Sequence, residues 1–516
     1  MSRTRIVGGK ITEIVGGEYN IYSEGPITLT SLEGSVNITA RQGITHGNPG
    51  TAPTVSKITT ECIVEFRTKQ DGSYTGQFGF DWLREDDNGL TTEAKYYDCL
   101  ENGYEAPNGR APHRDVNTEY ESKDEAFKAL QKEYNKIPID IIPRPATVPF
   151  TKDYFVPYLN LFPKPYSDAA TVPTGMPKPP FEAELRTLVE VGGTDEPDQI
   201  RIVFDKRYFE INGKDGSDAN PVLISDKALG AKREATADTI KIKCIEGFTT
   251  KQEIKVFVYP KGTLAKPVAE QIFARKLAGE IIVLPNKNTT GQNAVKNIKE
   301  QKFVFINVKT NINGSIKIGS SKLIDKINLQ NALYQSLVFG YFEEYSDSNG
   351  INLFDLSTDS DFKNGGRYID TNGNMNQDKS TFHSRIKHLF LSLKDTNGSP
   401  INSKYRDYFT FFMFDVDSYD GAPGQVESVA IKNVVVFEGA NGRWPTTCVH
   451  EGLHGMGLYH SHDDRSTAAI ANHTAIQMNK KFVYTKFKTD NLMSYNTRSR
   501  KTTWQWQWEI IKSNTK

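Results

Sequence analysis

The spacing of hydrophobic and polar residues changes near residue 300. Upstream of this point, short runs of alternating or wholly apolar residues are separated by turn residues, at 62–66, 74–80, 199–204, 239–245, 253–259 and 280–284. Alternation with a period of two is typical of β-strands that bury one face. The sequence therefore predicts a β-rich N-terminal half, with an antiparallel and Ig-like sandwich over residues 190–290.

A short glycine repeat opens the chain. The tetrapeptide at 6–9 recurs at 14–17, and Gly16, Gly25, Gly34 and Gly43 follow at intervals of nine residues. Such spacing is typical of short strands stacked as a small solenoid, but ordinary hairpins also produce it. Residues 1–110 are predicted to form one β-rich module by either route.

A helix and a proline-rich stretch occupy residues 111–189. The helix is predicted over 122–135, with Ser122 as its N-cap. Eleven of the 24 prolines lie between Pro138 and Pro180. Because proline fixes φ and removes an amide donor, the stretch is predicted to be an extended linker or a strap laid over a surface. Its aromatic side chains favour the strap.

From residue 300 the pattern is that of a mixed α/β domain, residues 300–516. Apolar runs and helical periodicity predict alternating strands and helices in this region. The predicted strands are 302–308, 351–356, 408–414 and 429–437, and the predicted helices are 328–342, 381–393 and a further helix after the turn at 442–445. The chain is therefore expected to be multidomain.

Composition excludes several classes of protein. The 516 residues contain 63 basic and 63 acidic side chains, so the net charge is zero and no electrostatically driven nucleic-acid binder is expected. No apolar run approaches the roughly 18–20 residues that span a bilayer. No apolar segment follows Arg3 and Arg5, and the four cysteines are scattered. We expect synthesis and folding in the cytoplasm and, for any action outside the cell, a route other than Sec.

The decisive motif is HExxHxxGxxH, formed by His450, Glu451, His454, Gly457 and His460. Histidines four residues apart lie on one face of a helix and can bind one metal ion, with the glutamate beside them. Glycine allows the chain to turn after the helix and to bring the third histidine round. Three imidazoles leave a fourth position of Zn²⁺ open, which is typical of a catalytic zinc site.

This stretch resembles the metzincin clan of zinc endopeptidases, over residues 300–516. The resemblance extends to Met493, 33 residues after His460, which would be the methionine of the clan's Met-turn beneath the metal. It implies that Tyr495 is an extra, switchable metal ligand that later stabilises the oxyanion, as in the astacin and serralysin branches. Simple packing of Tyr495 near the site is the alternative. Ser461 is more like the matrixin branch, so no branch is assigned.

The function expected from this resemblance is hydrolysis of protein or peptide substrates by a zinc-activated water. Glu451 would be the general base, and no acyl-enzyme would form. Residues 370–378 and 415–421 also offer oxygen atoms to Ca²⁺, but the spacing departs from that of an EF-hand, and polar turns are the favoured interpretation. His462, Asp463 and Asp464 would support the metal ligands or be solvated.

Residues 2–12 resemble an N-terminal module of cargo of contractile injection systems in Bacteroidetes-like bacteria. The resemblance implies that residues 1–110 dock on a component of a secretion apparatus, and that the chain is a delivered effector or toxin. Two alternatives remain open: a non-catalytic structural or cargo component with a relic zinc site, and a zinc amidase acting on the cell wall. The intact Glu451 speaks against a relic. The proline-rich strap could also block the cleft.

Overall fold

The computed structural model of the chain describes residues 60–92, 94–100, 122–141, 150–347, 350–440, 442–462, 482–495 and 500–515. All of these belong to one of the chain's two units, which begins at Thr59. The predicted glycine repeat and the segment that resembles injection-system cargo lie outside the described residues.

Strands are the main elements before residue 284. The twelve strands described there are β1 (Thr60–Thr68), β2 (Gly79–Asp81), β3 (Lys136–Ile141), β4 (Phe150–Phe155), β5 (Tyr158–Asn160), β6 (Glu182–Gly193), β7 (Gln199–Val203), β8 (Phe209–Ile211), β9 (Val222–Ile224), β10 (Gly230–Cys244), β11 (Gln252–Tyr259) and β12 (Lys276–Val283). The helices described there are α1 (Tyr96–Cys99), α2 (Lys123–Gln131), α3 (Lys164–Ala169) and α4 (Val268–Ala274).

Helices and strands alternate in the C-terminal part. Its strands are β13 (Lys299–Ile312), β14 (Ser315–Ile318), β15 (Val338–Glu344), β16 (Phe354–Asp355), β17 (Phe409–Phe414), β18 (Gly424–Val426) and β19 (Asn433–Phe437). Its helices are α5 (Leu323–Gln335), α6 (Phe382–Leu391), α7 (Thr447–Gly455) and α8 (Gln505–Ser513). Among the described residues, no helix has both the length and the apolar character that crossing a bilayer requires.

Two sheets share one hydrophobic core in the N-terminal half. A four-stranded sheet has the order β1-β6-β10-β8, and a six-stranded sheet has the order β2-β5-β12-β11-β7-β9. All neighbours are antiparallel except β5 and β12. Their shared core contains Val64, Leu185 and Ile242 from the first sheet and Ile202 and Val256 from the second. The β-rich prediction is confirmed, and the Ig-like topology stays a prediction.

The strand predicted at 74–80 is largely wrong, because only Gly79–Asp81 forms a strand. Gly76 lies at φ +87°, which interrupts an extended backbone. Tyr74 and Phe78 are nevertheless buried, with their ring centroids 4.9 Å apart. The apolar run therefore reported burial of an irregular segment and not its secondary structure.

The helix predicted from residue 122 is confirmed as α2, and Ser122 Oγ accepts a hydrogen bond from the Glu125 amide at 3.2 Å. The proline-rich stretch after it is packed against the C-terminal part and is not a free linker. Phe162 is fully buried against Tyr334 of α5, and the Tyr334 hydroxyl donates to the Pro177 carbonyl at 2.9 Å.

The C-terminal sheet has seven strands, with the order β14-β13-β17-β19-β18 and with β15 and β16 also paired to β13. Strands β13, β17 and β19 are parallel, whereas β18 pairs antiparallel with β19 at the end of the sheet. Successive side chains of a strand point to opposite faces. Ile306 and Phe412 accordingly pack with α6 on one face, and Phe305 and Phe411 pack with α5 and α7 on the other.

Two boundaries in this part differ from the prediction. The helix predicted over 328–342 ends at Gln335, and Val338–Glu344 is strand β15. Leu337 has φ +55° and separates the two elements. The predicted strands at 351–356 and 429–437 are shortened to Phe354–Asp355 and Asn433–Phe437. Short apolar runs suit both a buried helix and a buried strand, so periodicity alone did not locate these ends.

Candidate metal centre

Helix α7 carries the motif and lies directly on the central sheet. Every residue of the helix is buried. A Cβ atom at Gly455 would approach Phe409 Cζ to 2.3 Å, so only glycine permits this close approach of helix to sheet. The loop before α7 is held by Arg443, whose buried guanidinium pairs with Asp325 and Glu438.

Three histidine nitrogens converge at the end of α7. His450 and His454 lie on successive turns, with ring centroids 4.8 Å apart. Gly457 then adopts φ +97°, a conformation that favours glycine, and the chain turns back. His460 Nε2 thereby comes within 3.0 Å of His450 Nε2 and 3.1 Å of His454 Nε2. The structure thus brings together the three histidines that the sequence singled out, as a cluster that could hold a metal ion.

Hydrogen bonds at the opposite ring nitrogens orient two of these ligands. His450 Nδ1 donates to the Leu492 carbonyl at 2.9 Å, and His454 Nδ1 donates to the Leu458 carbonyl at 2.7 Å. A carbonyl can only accept, so both Nε2 atoms carry lone pairs directed at the cluster. Backbone partners of this kind fix the tautomer and the orientation of metal-binding histidines.

The donor set fits a divalent metal ion. His460 Nε2 can supply at most one hydrogen, yet two acceptor nitrogens face it. A cation between the three rings would remove the repulsion of their lone pairs. Bonds of about 2.0–2.1 Å to zinc at tetrahedral angles place nitrogens roughly 3.3 Å apart, close to the spacing found here. Burial lowers the pKa of His450 well below its usual value, with contributions from His454 and His460, and favours its neutral form.

Glu451 lies beside the cluster and is almost fully buried. Its Oε2 accepts a hydrogen bond from the amide of Val426, on edge strand β18, at 3.1 Å. Burial raises the pKa of Glu451 to about 7, while the Val426 amide and the Arg500 charge act in the opposite direction. A carboxyl group with a pKa in this range can accept a proton and return it near neutral pH.

Met493 is completely buried in the cluster of residues that includes α7. Its turn is held by Asn491, whose Oδ1 accepts from the Met493 amide at 2.9 Å and whose Nδ2 donates to Gln507 Oε1 at 2.8 Å. The Met493 carbonyl accepts from the Ser461 amide at 3.1 Å. The turn therefore contacts the segments that carry His450 and His460. Sequence analysis missed Asn491 and Gln507, although asparagine is a frequent turn residue.

Tyr495 lies at the solvent side of the cluster, with 38% of its surface exposed. Its ring centroid is 4.7 Å from that of His460 and 5.5 Å from that of His450. His462 is 1% exposed and lies between the rings of His460 and Tyr495, at 5.0 Å and 4.7 Å. The interpretation of His462 as a solvated residue is therefore wrong, because its ring is packed against both neighbours. Asp463 and Asp464 lie outside the described residues.

Arg500 is a second residue that sequence analysis missed. Its Nη1 donates to the Ser494 carbonyl at 2.9 Å, and its Nη2 donates to Thr446 Oγ1 at 2.5 Å. Thr446 is the N-cap residue of α7, and Ser494 precedes Tyr495. The guanidinium thus connects the helix of the metal ligands to the turn below them. No motif spacing in the sequence marks this position.

The candidate calcium loops use their carboxylates within turns. Asp370 Oδ1 accepts from the amides of Asn372 and Asn374 at 2.8 and 2.7 Å. Asp420 Oδ1 accepts from Gln377 Nε2 at 2.7 Å, and Asp417 Oδ2 accepts from the Ala440 amide at 3.3 Å. Within the described ranges, the three histidines form the one group of metal-binding side chains close enough to share an ion.

Residues before 140 support the site from behind. Leu100 forms a β-bridge with Tyr484, and the Thr485 amide donates to the Cys99 carbonyl at 2.6 Å. Leu83, Tyr96 and Leu130 belong to the same buried cluster as Trp504 and Tyr484. The C-terminal sheet and helices therefore share a core with the N-terminal part of the described chain.

No known protein family, curated protein or solved structure matches this chain. Its chemistry is argued from the site alone.

Proposed function

We propose that this chain is a zinc-dependent endopeptidase of the metzincin type. The observation that supports this most strongly is the convergence of the His450, His454 and His460 Nε2 atoms next to Glu451. A buried carboxyl group one residue after the first ligand is where a hydrolytic metal site requires its base. The fully buried Met493, whose turn contacts two of the ligand segments, adds to the resemblance.

The three histidines would hold the ion, and zinc bound there would supply a Lewis acid and lower the pKa of a water molecule to about 7. Glu451 would accept the proton of that water on a carboxylate oxygen and later return it to the leaving amine. The hydrogen bond from the Val426 amide to Oε2 holds the carboxylate in place between these two transfers. Tyr495, at the exposed side of the ligands, would donate a hydrogen bond to the oxyanion.

Edge strand β18 favours a peptide as the substrate. It lies at the end of the seven-stranded sheet and provides the amide that binds Glu451. An extended peptide can add to such an edge by main-chain hydrogen bonds, which would bring its carbonyl groups next to the metal centre. A substrate without this backbone, such as a cell-wall glycan amide, would gain nothing from the edge.

Delivery outside the producing cell is also proposed, as a secreted effector or toxin that leaves without a Sec signal. Its support is the resemblance of residues 2–12 to injection-system cargo. Docking through residues 1–110 on a secretion apparatus can be tested by asking whether deletion of residues 2–59 abolishes export from producing cells while leaving peptidase activity intact.

Metal content and peptide cleavage of the full chain test the catalytic proposal. The wild type is expected to bind one zinc per chain and to cleave peptides from a proteome-derived library, with activity lost to a chelator and restored by zinc. Glu451→Gln is expected to retain zinc but to lose at least about a hundredfold in kcat, the lower part of the range for a general base. Full activity of this variant would contradict the mechanism, and cleavage without zinc would contradict the metal's role.

A further inference from the structure

Arg500 places a positive charge beside the residues that the proposed peptidase uses. Its side chain is half-buried and is held by two neutral acceptors, the Ser494 carbonyl and the Thr446 hydroxyl. Among the residues that the structure describes, no carboxylate forms an ion pair with it. The charge is therefore fixed in position without a counter-charge.

The charge of Arg500 reaches the proposed catalytic residues. Burial lowers the pKa of Arg500, whereas Tyr495 and Glu451 act to raise it. Burial likewise dominates the shifts of Glu451 and His450, and the Arg500 charge contributes to both. Glu451 and Tyr495 would lie on either side of the scissile carbonyl, so Arg500 lies within reach of a substrate side chain adjacent to that bond.

A desolvated guanidinium attracts a carboxylate strongly. Removing water from a cation is costly, and a bound anion compensates that cost through charge-assisted hydrogen bonds. The planar guanidinium still has donor groups beyond the two hydrogen bonds described, and its fork matches a carboxylate. A neutral side chain at the same place would leave the buried charge uncompensated.

We propose that Arg500 is a specificity-determining residue that selects peptides carrying aspartate or glutamate next to the scissile bond. This inference rests on the proposed peptidase function, and it gives that function a substrate class: acidic protein segments. The two anchoring hydrogen bonds hold the guanidinium in register with α7 and with the turn before Tyr495. A lysine there would retain the charge but lose the forked geometry.

Matched peptides test this proposal. After the cleavage site of an acidic library peptide has been mapped, pairs are made in which the flanking glutamate is replaced by the isosteric glutamine. For the wild type, kcat/KM is expected to be about ten to a hundred times higher for the glutamate peptide, the range for a hydrogen bond to a charged group. Arg500→Gln should bring this ratio to within about twofold of one, and Arg500→Lys should retain part of it.

Two further variants separate recognition from a merely structural role. Thr446→Val removes one anchor of Arg500 but keeps the charge, and it should preserve a ratio above one. Arg500→Glu should reverse the preference toward a flanking lysine. A wild-type ratio near one, or a ratio that Arg500→Gln leaves unchanged, would overturn the proposal while leaving the peptidase function intact.

Binding measurements distinguish failure of this proposal from failure of the peptidase function. Absence of cleavage of every peptide by the zinc-loaded chain would contradict the peptidase function. Fluorescence anisotropy of the labelled glutamate and glutamine peptides with Glu451→Gln then still tests recognition. Tighter binding of the glutamate peptide, lost on adding Arg500→Gln, would support the selective role of Arg500, and equal binding of both peptides would overturn it.

Discussion

His450 Nδ1 and the Leu492 carbonyl oxygen are 2.9 Å apart, and this hydrogen bond joins the first metal ligand to the turn that contains Met493. The turn is in turn bound to α8 through Asn491 and Gln507. The orientation of a ligand on α7 thus depends on residues 40 to 57 positions later in the chain. A metal centre of this kind is sensitive to changes that do not touch the metal.

Asn491→Ala is expected to weaken zinc binding about 10- to 100-fold, the usual cost of losing a group that orients a metal ligand. The substitution removes the acceptor of the Met493 amide and the link to Gln507. Competition with a chromophoric chelator measures the affinity. Asn397→Ala, at an exposed turn, is the matched control and should bind zinc like the wild type. Equal affinity of all three proteins would contradict the orienting role of Asn491.

Arg443→Met should destabilise the chain by about 3–5 kcal/mol, because it leaves the buried Asp325 carboxylate without its partner. The side chains of Arg443 and Asp325 are 2% and 1% exposed. Arg385→Met removes a more exposed pair with Asp361 and should cost about 1 kcal/mol or less. Urea unfolding of both variants at pH 7 measures the difference. Similar losses would show that burial of the Arg443 pair has no special weight.

Stability should depend on pH through Lys512. Burial lowers the pKa of Lys512 from 10.5 to about 8, with Lys299 adding to the shift and Glu509 opposing it. Between these values the unfolded chain binds more protons than the folded chain, so this residue makes stability rise as pH increases from about 8 to 10.5.

Lys512→Met removes this dependence. The variant is expected to be more stable than the wild type at pH 7, where folding must bury or neutralise the ammonium group, and its advantage should shrink at pH 10. Urea titrations at both pH values measure it, with Lys404→Met, at an exposed position, as the control. An advantage that is absent at pH 7 or grows at pH 10 would contradict the assigned shift.

A fragment of residues 300–516 is expected to fold poorly by itself. Trp504 and Tyr484 would lose their packing against Leu83, Tyr96 and Leu130. Each such side chain contributes about 1.5–3 kcal/mol when buried. Near-ultraviolet circular dichroism and binding of a hydrophobic dye compare the fragment with the full chain. A fragment with native-like aromatic signals and a cooperative unfolding transition would contradict the shared core.

The local geometry of the centre could be predicted because it is encoded at short range. The four-residue spacing of His450 and His454 and the glycine at 457 determine how the chain turns, and these features are visible in the sequence. Asn491 and Arg500 could not be found in this way. They act through contacts with Gln507 and Thr446, which depend on how distant segments pack.

The fold was predictable where patterns are long and regular. The strands at 199–203 and 252–259 have clear alternation, and both are present. The end of helix α5 was not predictable, since the apolar residues after Gln335 suit either element and the left-handed conformation of Leu337 decides between them. The bridge between Leu100 and Tyr484 joins residues 384 positions apart, which no local period reveals.

X-ray absorption spectroscopy of the full chain loaded with one equivalent of zinc tests the central claim most directly. The account predicts three imidazole nitrogens at about 2.0–2.1 Å, with the remaining position occupied by oxygen, and loss of one imidazole contribution in His460→Ala. A first shell that contains sulfur, or fewer than three imidazoles in the wild type, would contradict a centre built by His450, His454 and His460.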